Sequence, residues 1–192
     1  PLHYTMSILD SETEIDNRTY SEMLRRAFDQ QCWEDFQNNV IIPRLRRLKS
    51  DKTLITKFAV AVGVPDNYSR NISEDIDTLC NAEAVNLYHI DCRKVTSIGQ
   101  AVGYLTTISQ HPNSMVFVEH FDEIPQSDEK EYIENILIHI WERDFMMPRR
   151  EFFVLFSTTN DYGNQTPPIL RRIKKLEWYC QINDNEQIEI HT

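Results

Sequence analysis

The sequence predicts an α/β domain built on a parallel sheet, and three observations carry that prediction. Met115 to Val118 and Phe152 to Phe156 are short apolar runs rich in β-branched and aromatic residues. Each passes directly into polar residues, Glu119-His120-Phe121-Asp122 after the first and Ser157-Thr158-Thr159-Asn160 after the second. Such a run suits a strand covered on both faces, and the ligands of open parallel sheets gather at the carboxyl ends of their strands. The third observation is order: strand-like and helix-like segments alternate along the chain, as a parallel sheet with crossover helices requires.

The elements follow in turn. Residues 1–20 are polar and acidic without steady periodicity, which predicts an arm more than a core element. From Tyr20 to Leu48 apolar residues recur at helical spacing (Met23, Leu24, Ala27, Phe28, then Trp33, Phe36, Val40, Ile41, Leu45), predicting two helices with breaks near 30–34 and at Pro43. Thr53 to Val62 reads as the first core strand and Gly63-Val64-Pro65-Asp66-Asn67 as a turn. A short helix over Glu74 to Ala84 is expected behind Ser73 as its cap, with Ile76, Leu79 and Cys80 facing inward. Val85 to Ile90 predicts a second strand, Val95 to Ser109 a helix, Met115 to Val118 a third strand and Glu129 to Trp141 a helix with a clear apolar face. Phe152 to Ser157 and Leu176 to Cys180 complete the strands. The expected organisation is an N-terminal arm and helices over 1–48 and an α/β core over 49–192.

Composition bounds the function. At 192 residues the chain can bury one full core, and a net charge of -10 argues against broad nucleic-acid binding, which depends on neutralising phosphates. Two basic clusters stand out locally, Arg44, Arg46, Arg47 with Lys49, Lys52 and Lys57, and Arg171, Arg172 with Lys174 and Lys175. Each fits a solvated face, or a docking patch for an acidic partner or a phosphate backbone. No apolar run is long enough for a membrane span, and no signal peptide is visible. Cys32, Cys80, Cys92 and Cys180 lack paired metal-ligand spacing, so reduced thiols in a nuclear or cytoplasmic setting are expected and zinc held by cysteine is not. Sequons at Asn17, Asn67, Asn71 and Asn164 would suit the ER lumen, but the pattern is short enough to arise by chance.

Taken together, Val118-Glu119-His120-Phe121-Asp122, Thr158-Thr159-Asn160 and Pro167-Pro168-Ile169-Leu170-Arg171-Arg172 resemble the Walker B strand, the sensor-1 strand and the arginine-finger turn of AAA+ ATPases over roughly residues 50–180. The resemblance implies a three-layer αβα core of P-loop type. It departs from the family in two residue sets. A phosphate loop needs a second glycine and a lysine, because backbone N–H groups and a cation cradle the phosphates. Here Gly63 and Pro65 remain, Asp66 places negative charge where phosphate would sit, and Ser69 stands near the lysine position. His120 replaces the glutamate that activates water, and the short polar stretch after Cys180 leaves no room for the helical lid.

The resemblance therefore implies a pseudo-ATPase with no cofactor and no bound metal, working as an interaction or scaffold module. Its implied partners are an active AAA+ protein or a chromatin component, in keeping with degenerate relatives among origin-recognition and silencing proteins. Gly63, Glu119, Asp122 and Asn160 are the vestigial nucleotide positions. Glu119 and Asp122 would hold Mg²⁺ in an active relative and are expected here as solvated or capping groups, and Asn160 as an amide holding its own loop. Arg171 and Arg172 match the arginines that reach a neighbouring subunit, and Arg44, Arg46 and Arg47 are the second interaction set. Two rival readings are a nucleotide-binding ATPase with Arg70 in place of the lysine, and a DNA-binding module using the basic clusters. No Ser or Cys nucleophile is expected near His120, and His139 is expected on the surface.

Overall fold

The computed structural model describes residues 6–10, 30–48, 58–61, 63–111, 113–141, 152–162, 168–169, 172, 180–182 and 188–190. Its centre is a five-stranded sheet in the order β1-β2-β5-β4-β3. The strands are β1 (Met6–Asp10), β2 (Phe58–Ala61), β3 (Asn86–Asp91), β4 (Ser114–Glu119) and β5 (Phe152–Ser157). β2, β5, β4 and β3 run parallel, and β1 joins the β2 edge antiparallel. The α/β class expected from the alternation is therefore present. Every residue of β4 and β5 is buried, which is why those two strands read as unbroken apolar runs.

The connections decide where the helices lie. The first crossover goes from β2 through α3 (Asp66–Ala82) to β3 at the far edge. The next two step back, through α4 (Ile98–Ser109) to β4 and through α5 (Lys130–Ile138) to β5. Right-handed crossovers moving in opposite directions put their helices on opposite faces of a sheet. Two cores result. Ile72, Ile76 and Cys80 of α3 pack with Met115, Phe117, Phe153 and Leu155, whereas Ala101, Leu105, Ile133 and Leu137 pack with Val116, Val118, Val154 and Phe156. The period of two along β4 and β5 sorts alternate side chains between them.

The N-terminal helices belong to the α3 face. α1 (Gln30–Phe36) continues through a π turn at Gln37–Ile41 into α2 (Ile42–Arg47). Pro43 does not break the helix as expected, because the wide turn takes up a proline that has no N–H to give and whose ring would crowd the preceding turn, and the chain before Gln30, where the other break was expected to begin, lies outside the described residues. Trp33, Phe36, Val40, Ile41 and Leu45 enter the same core as Phe153 and Leu155, and the indole N–H of Trp33 donates to Asp75 on α3 at 2.7 Å.

Three further differences from the sequence reading have local causes. Residues 6–10, expected in an arm, form an edge strand whose partner is β2, a pairing that periodicity within so short a segment does not announce. α3 starts at Asp66, well before the expected cap at Ser73: Pro65 is its extended N-cap residue and Asp66 places an acid in the first turn, where the helix dipole favours one. α4 starts at Ile98, since Ser97 and Gln100 close a reciprocal capping box. Cys180–Ile182 (β6) pairs with Ile188–Ile190 (β7) as a separate antiparallel hairpin, not as a further strand of the main sheet. The expected strand residues Leu176 to Tyr179, together with Lys49, Lys52, Lys57, Arg171, Lys174, Lys175 and most of residues 1–29, lie outside the described residues. No helix among the described residues is long and apolar enough to cross a membrane.

Candidate functional site at the carboxyl edge of the sheet

The helix after β2 and the helix after β4 leave on opposite faces, so the carboxyl ends of β2, β5 and β4 form the kind of divergence where open α/β sheets bind ligands. Gly63, at φ 69°, turns the chain out of β2, a conformation that glycine adopts without steric penalty. Its amide donates to Thr158 Oγ1 at 3.0 Å. The next amide, Val64 N–H, donates to the Thr158 carbonyl at 2.8 Å, while Thr158 N–H donates back to Ala61 at 2.9 Å. The loop that resembles a phosphate cradle thus has two of its amides engaged by the neighbouring strand end.

The next group of side chains is charged. Register pairs Asp91 with Glu119 and His89 with Phe117 across β3 and β4. Alternation then turns Glu119, like Phe117, to the α3 face, and His89 stacks on the Phe117 ring at 4.9 Å. From α3, Ser69 faces Glu119 because it sits on the same stripe as Ile72, Ile76 and Cys80. Ser69 Oγ donates to Glu119 Oε2 at 2.8 Å and lies 3.2 Å from His120 Nε2. His89 Nε2 donates to Glu119 Oε1 at 3.0 Å. His120, buried and at φ 56°, follows the strand in the left-handed region, a conformation costly for a residue with a Cβ. Its Nδ1 meets Thr159 Oγ1 at 3.0 Å.

The protons of this cluster can be accounted for. Burial pushes the Glu119 carboxyl up, but the hydrogen bonds from His89 and Ser69 and the adjacent imidazoles outweigh it, and the net shift is below the ordinary value. Glu119 is therefore ionised at neutral pH and takes the single hydroxyl proton of Ser69. Ser69 can then only accept from His120 Nε2–H, and Thr159 Oγ1 faces the second ring nitrogen. A serine beside a histidine suggests nucleophilic catalysis, and the sequence reading missed this pair. Here the carboxylate holds the serine proton, so the imidazole is not positioned as its base.

A third group closes the approach. Arg93, just past β3, forks between Asp66 at the start of α3 and Glu123 in the loop after β4. The hydrogen bond from Arg93, with its charge and that of His120, keeps the Asp66 carboxyl low despite some desolvation. Asp122 accepts from the amides of Thr159 at 2.9 Å and Asn160 at 2.8 Å, so it caps the loop after β5. Asn160 Oδ1 accepts from Tyr162 N–H at 2.9 Å and holds its own turn. Of the vestigial nucleotide positions, then, Gly63, Glu119, Asp122 and Asn160 do converge on one edge, and each is engaged by its neighbours.

The basic residues are placed differently. Arg44 is buried, donates to the Val40 carbonyl at 3.0 Å and lies over the Phe153 ring, so it belongs to the core and not to an exposed patch. Arg46 is exposed and pairs with Glu83 at 3.1 Å, and Arg47 is half-buried. Arg172 bonds Glu134 and Asn135 on α5. Arg70 is exposed and pairs along its own helix with Glu74 at 2.9 Å. His139 is half-buried, not fully at the surface, and Cys32, Cys80 and Cys92 are buried free thiols.

Two donor sets could hold a metal ion: Asp66, His120 and Glu123, and Asp91, Glu119 and His120, each with its ligand atoms within 4.8 Å of one another. No protein-family model matches the chain, and no curated protein matches it.

Proposed function

We propose that the chain is a catalytically silent, AAA+-like α/β domain that works as a protein-interaction or scaffold module. The observation that carries this reading is the engagement of the Gly63 and Val64 amides by Thr158. Phosphate binding at a strand-to-helix turn depends on free amides and a cation. Here the amides are taken, Asp66 contributes negative charge at the helix start, and the Arg93 guanidinium is already shared between Asp66 and Glu123. Ser69, near the position of the family's lysine, is bound to Glu119 and brings no charge.

The partner in this reading is another protein, an active AAA+ protein or a chromatin component, in the nucleus or cytoplasm. From the first basic cluster, the contact face in this reading is Arg46, exposed beside Glu83, with the half-buried Arg47 next to it. The ATPase alternative is weakened by Arg70, whose guanidinium lies along α3 against Glu74. The DNA-binding alternative is weakened by the burial of Arg44.

A thermal-shift titration with Mg-ATP and Mg-ADP tests the proposal. A ligand at a hundred times its dissociation constant stabilises a native state by about 2.7 kcal/mol, a readily measured rise in Tm. The expected result is no shift at millimolar nucleotide for the wild type and for Arg70→Ala alike. A saturable shift in the wild type would sink the silent reading, and its loss in Arg70→Ala would locate the phosphate site.

A further inference from the structure

We propose that Asp91, Glu119 and His120 form a binding site for a borderline divalent transition metal of the zinc or cobalt type. The three residues come from the adjacent ends of β3 and β4, where register sets Asp91 directly beside Glu119. Their donor atoms lie within 4.8 Å of one another. In a tetrahedral site with ligands about 2.1 Å from the metal, donor atoms stand about 3.4 Å apart. Glu119 Oε1 and His120 Nε2 are separated by 3.6 Å, so these two need almost no movement.

The surroundings orient the donors as metal ligands require. A ligating histidine nearly always donates its second ring N–H to a fixed acceptor, and ligating carboxylates are themselves hydrogen-bonded. With the metal on Nε2, the His120 proton moves to Nδ1, where Thr159 Oγ1 is already at 3.0 Å and the Glu123 carboxylate at 3.8 Å. Glu119 keeps the hydroxyl of Ser69 on Oε2, and Asp91 is steadied by the Arg93 amide at 3.1 Å. The contact between His120 Nε2 and Ser69 is given up, and Glu119 Oε1 shares its lone pairs between the metal and His89. One imidazole and two carboxylates, with the fourth position left to water, favour zinc-type ions over magnesium or calcium, whose sites are built from oxygen alone.

The second donor set decides the location. Asp66 and Glu123 are already joined through the Arg93 guanidinium, which supplies the positive charge a metal would bring. At Asp91 the competing cation is Lys94, whose Nζ is 4.0 Å away on a largely exposed side chain. A divalent ion displaces such a group easily.

The test uses the full chain without nucleotide, so its outcome is independent of the ATP titration. Co²⁺ and Zn²⁺ are titrated directly and against a chromophoric chelator. The expected result is one equivalent bound in the micromolar range or tighter, a tetrahedral Co²⁺ spectrum, and no competition by equimolar Mg²⁺. Asp91→Asn keeps the acceptor for the Arg93 amide and removes the ligand charge, and it should weaken binding at least about tenfold. Thr159→Val, which disturbs only the orientation of the imidazole, should weaken it about tenfold as well. Asp66→Asn should bind like the wild type to within about twofold. Absence of saturable Co²⁺ or Zn²⁺ binding up to about 1 mM in the wild type, a binding free energy weaker than about 4.1 kcal/mol, would overturn the proposal. So would loss of binding in Asp66→Asn with Asp91→Asn unaffected, because that pattern puts the ion between Asp66, His120 and Glu123.

Discussion

The carboxyl edge of the sheet has two halves that manage polarity in opposite ways. At β2 and β5, the turn is held by backbone amides and carbonyls bonded to one another, by the Thr158 hydroxyl and by the Asp122 carboxylate that caps the loop after β5. At β3 and β4, side chains do the work: Glu119, His89, His120 and Asp91 gather around a buried carboxylate. The contrast shows that a single neighbouring threonine can occupy two amides of a strand-to-helix turn. A side-chain cluster keeps donor atoms close together even when each has a partner.

The comparison can be broken most forcefully on the charged side. Glu119→Leu removes the buried acceptor that Ser69 and His89 share, and it should cost about 3 kcal/mol in urea unfolding. A loss under about 1 kcal/mol would mean that water reaches these groups and that the cluster is not sealed. On the β2 and β5 side, Thr158→Val keeps the shape but strands the Gly63 amide and the Asn160 carbonyl, to which the hydroxyl donates at 3.0 Å. The expected cost is about 2 kcal/mol by the same measurement. If the halves are independent, the double variant should sum to within about 0.5 kcal/mol, and a larger deviation would show that they act as one network.

The smallest effect is at alkaline pH. Burial pushes the Tyr162 phenol up to about 12, with the Asp122 charge and hydrogen bond adding to it. Burial likewise pushes the Cys80 thiol up to about 12, with Asp77 adding to it. A group whose folded value lies above its unfolded value stabilises the fold fully below the unfolded value and loses that contribution as pH rises through the folded one. Tm should therefore decline from about pH 9, where the unfolded thiol begins to ionise, through pH 12. Tyr162→Phe should flatten the part of the decline above about pH 10, and an unchanged slope would mean that the phenol is ionised no differently in the two states.

What could be read from the chain alone divides along the same physical line. β4 and β5 were legible because burial on both faces demands an unbroken apolar run, and Met115 to Val118 and Phe152 to Ser157 supply it. The convergence of Gly63, Glu119, Asp122 and Asn160 followed from placing polar residues at strand ends. The pairing of Ser69 with Glu119 and His120 did not follow, because it depends on where α3 starts. With the helix placed behind Ser73, Ser69 fell in a turn; with Asp66 as its first residue, Ser69 continues the stripe of Ile72, Ile76 and Cys80. Spacing along the helix held that signal, and the polar run Asp66 to Asn71 concealed it. Arg44 was misleading for a related reason, since a charge on a helix says nothing of an aromatic ring supplied by a distant strand.

The helical segment from Gln30 to Arg47 carries a consequence for how the chain reaches its fold. Trp33, Phe36 and Ile41 share a core with α3, β4 and β5, so this helical segment is fully covered only once strands far along the chain have formed. Pairings so far apart along the chain make folding slow and leave apolar surface uncovered in the interval. A nascent chain halted before β5 would leave Trp33 and Phe36 without Phe153 and Leu155, and completion of Phe152 to Ser157 closes the core they share.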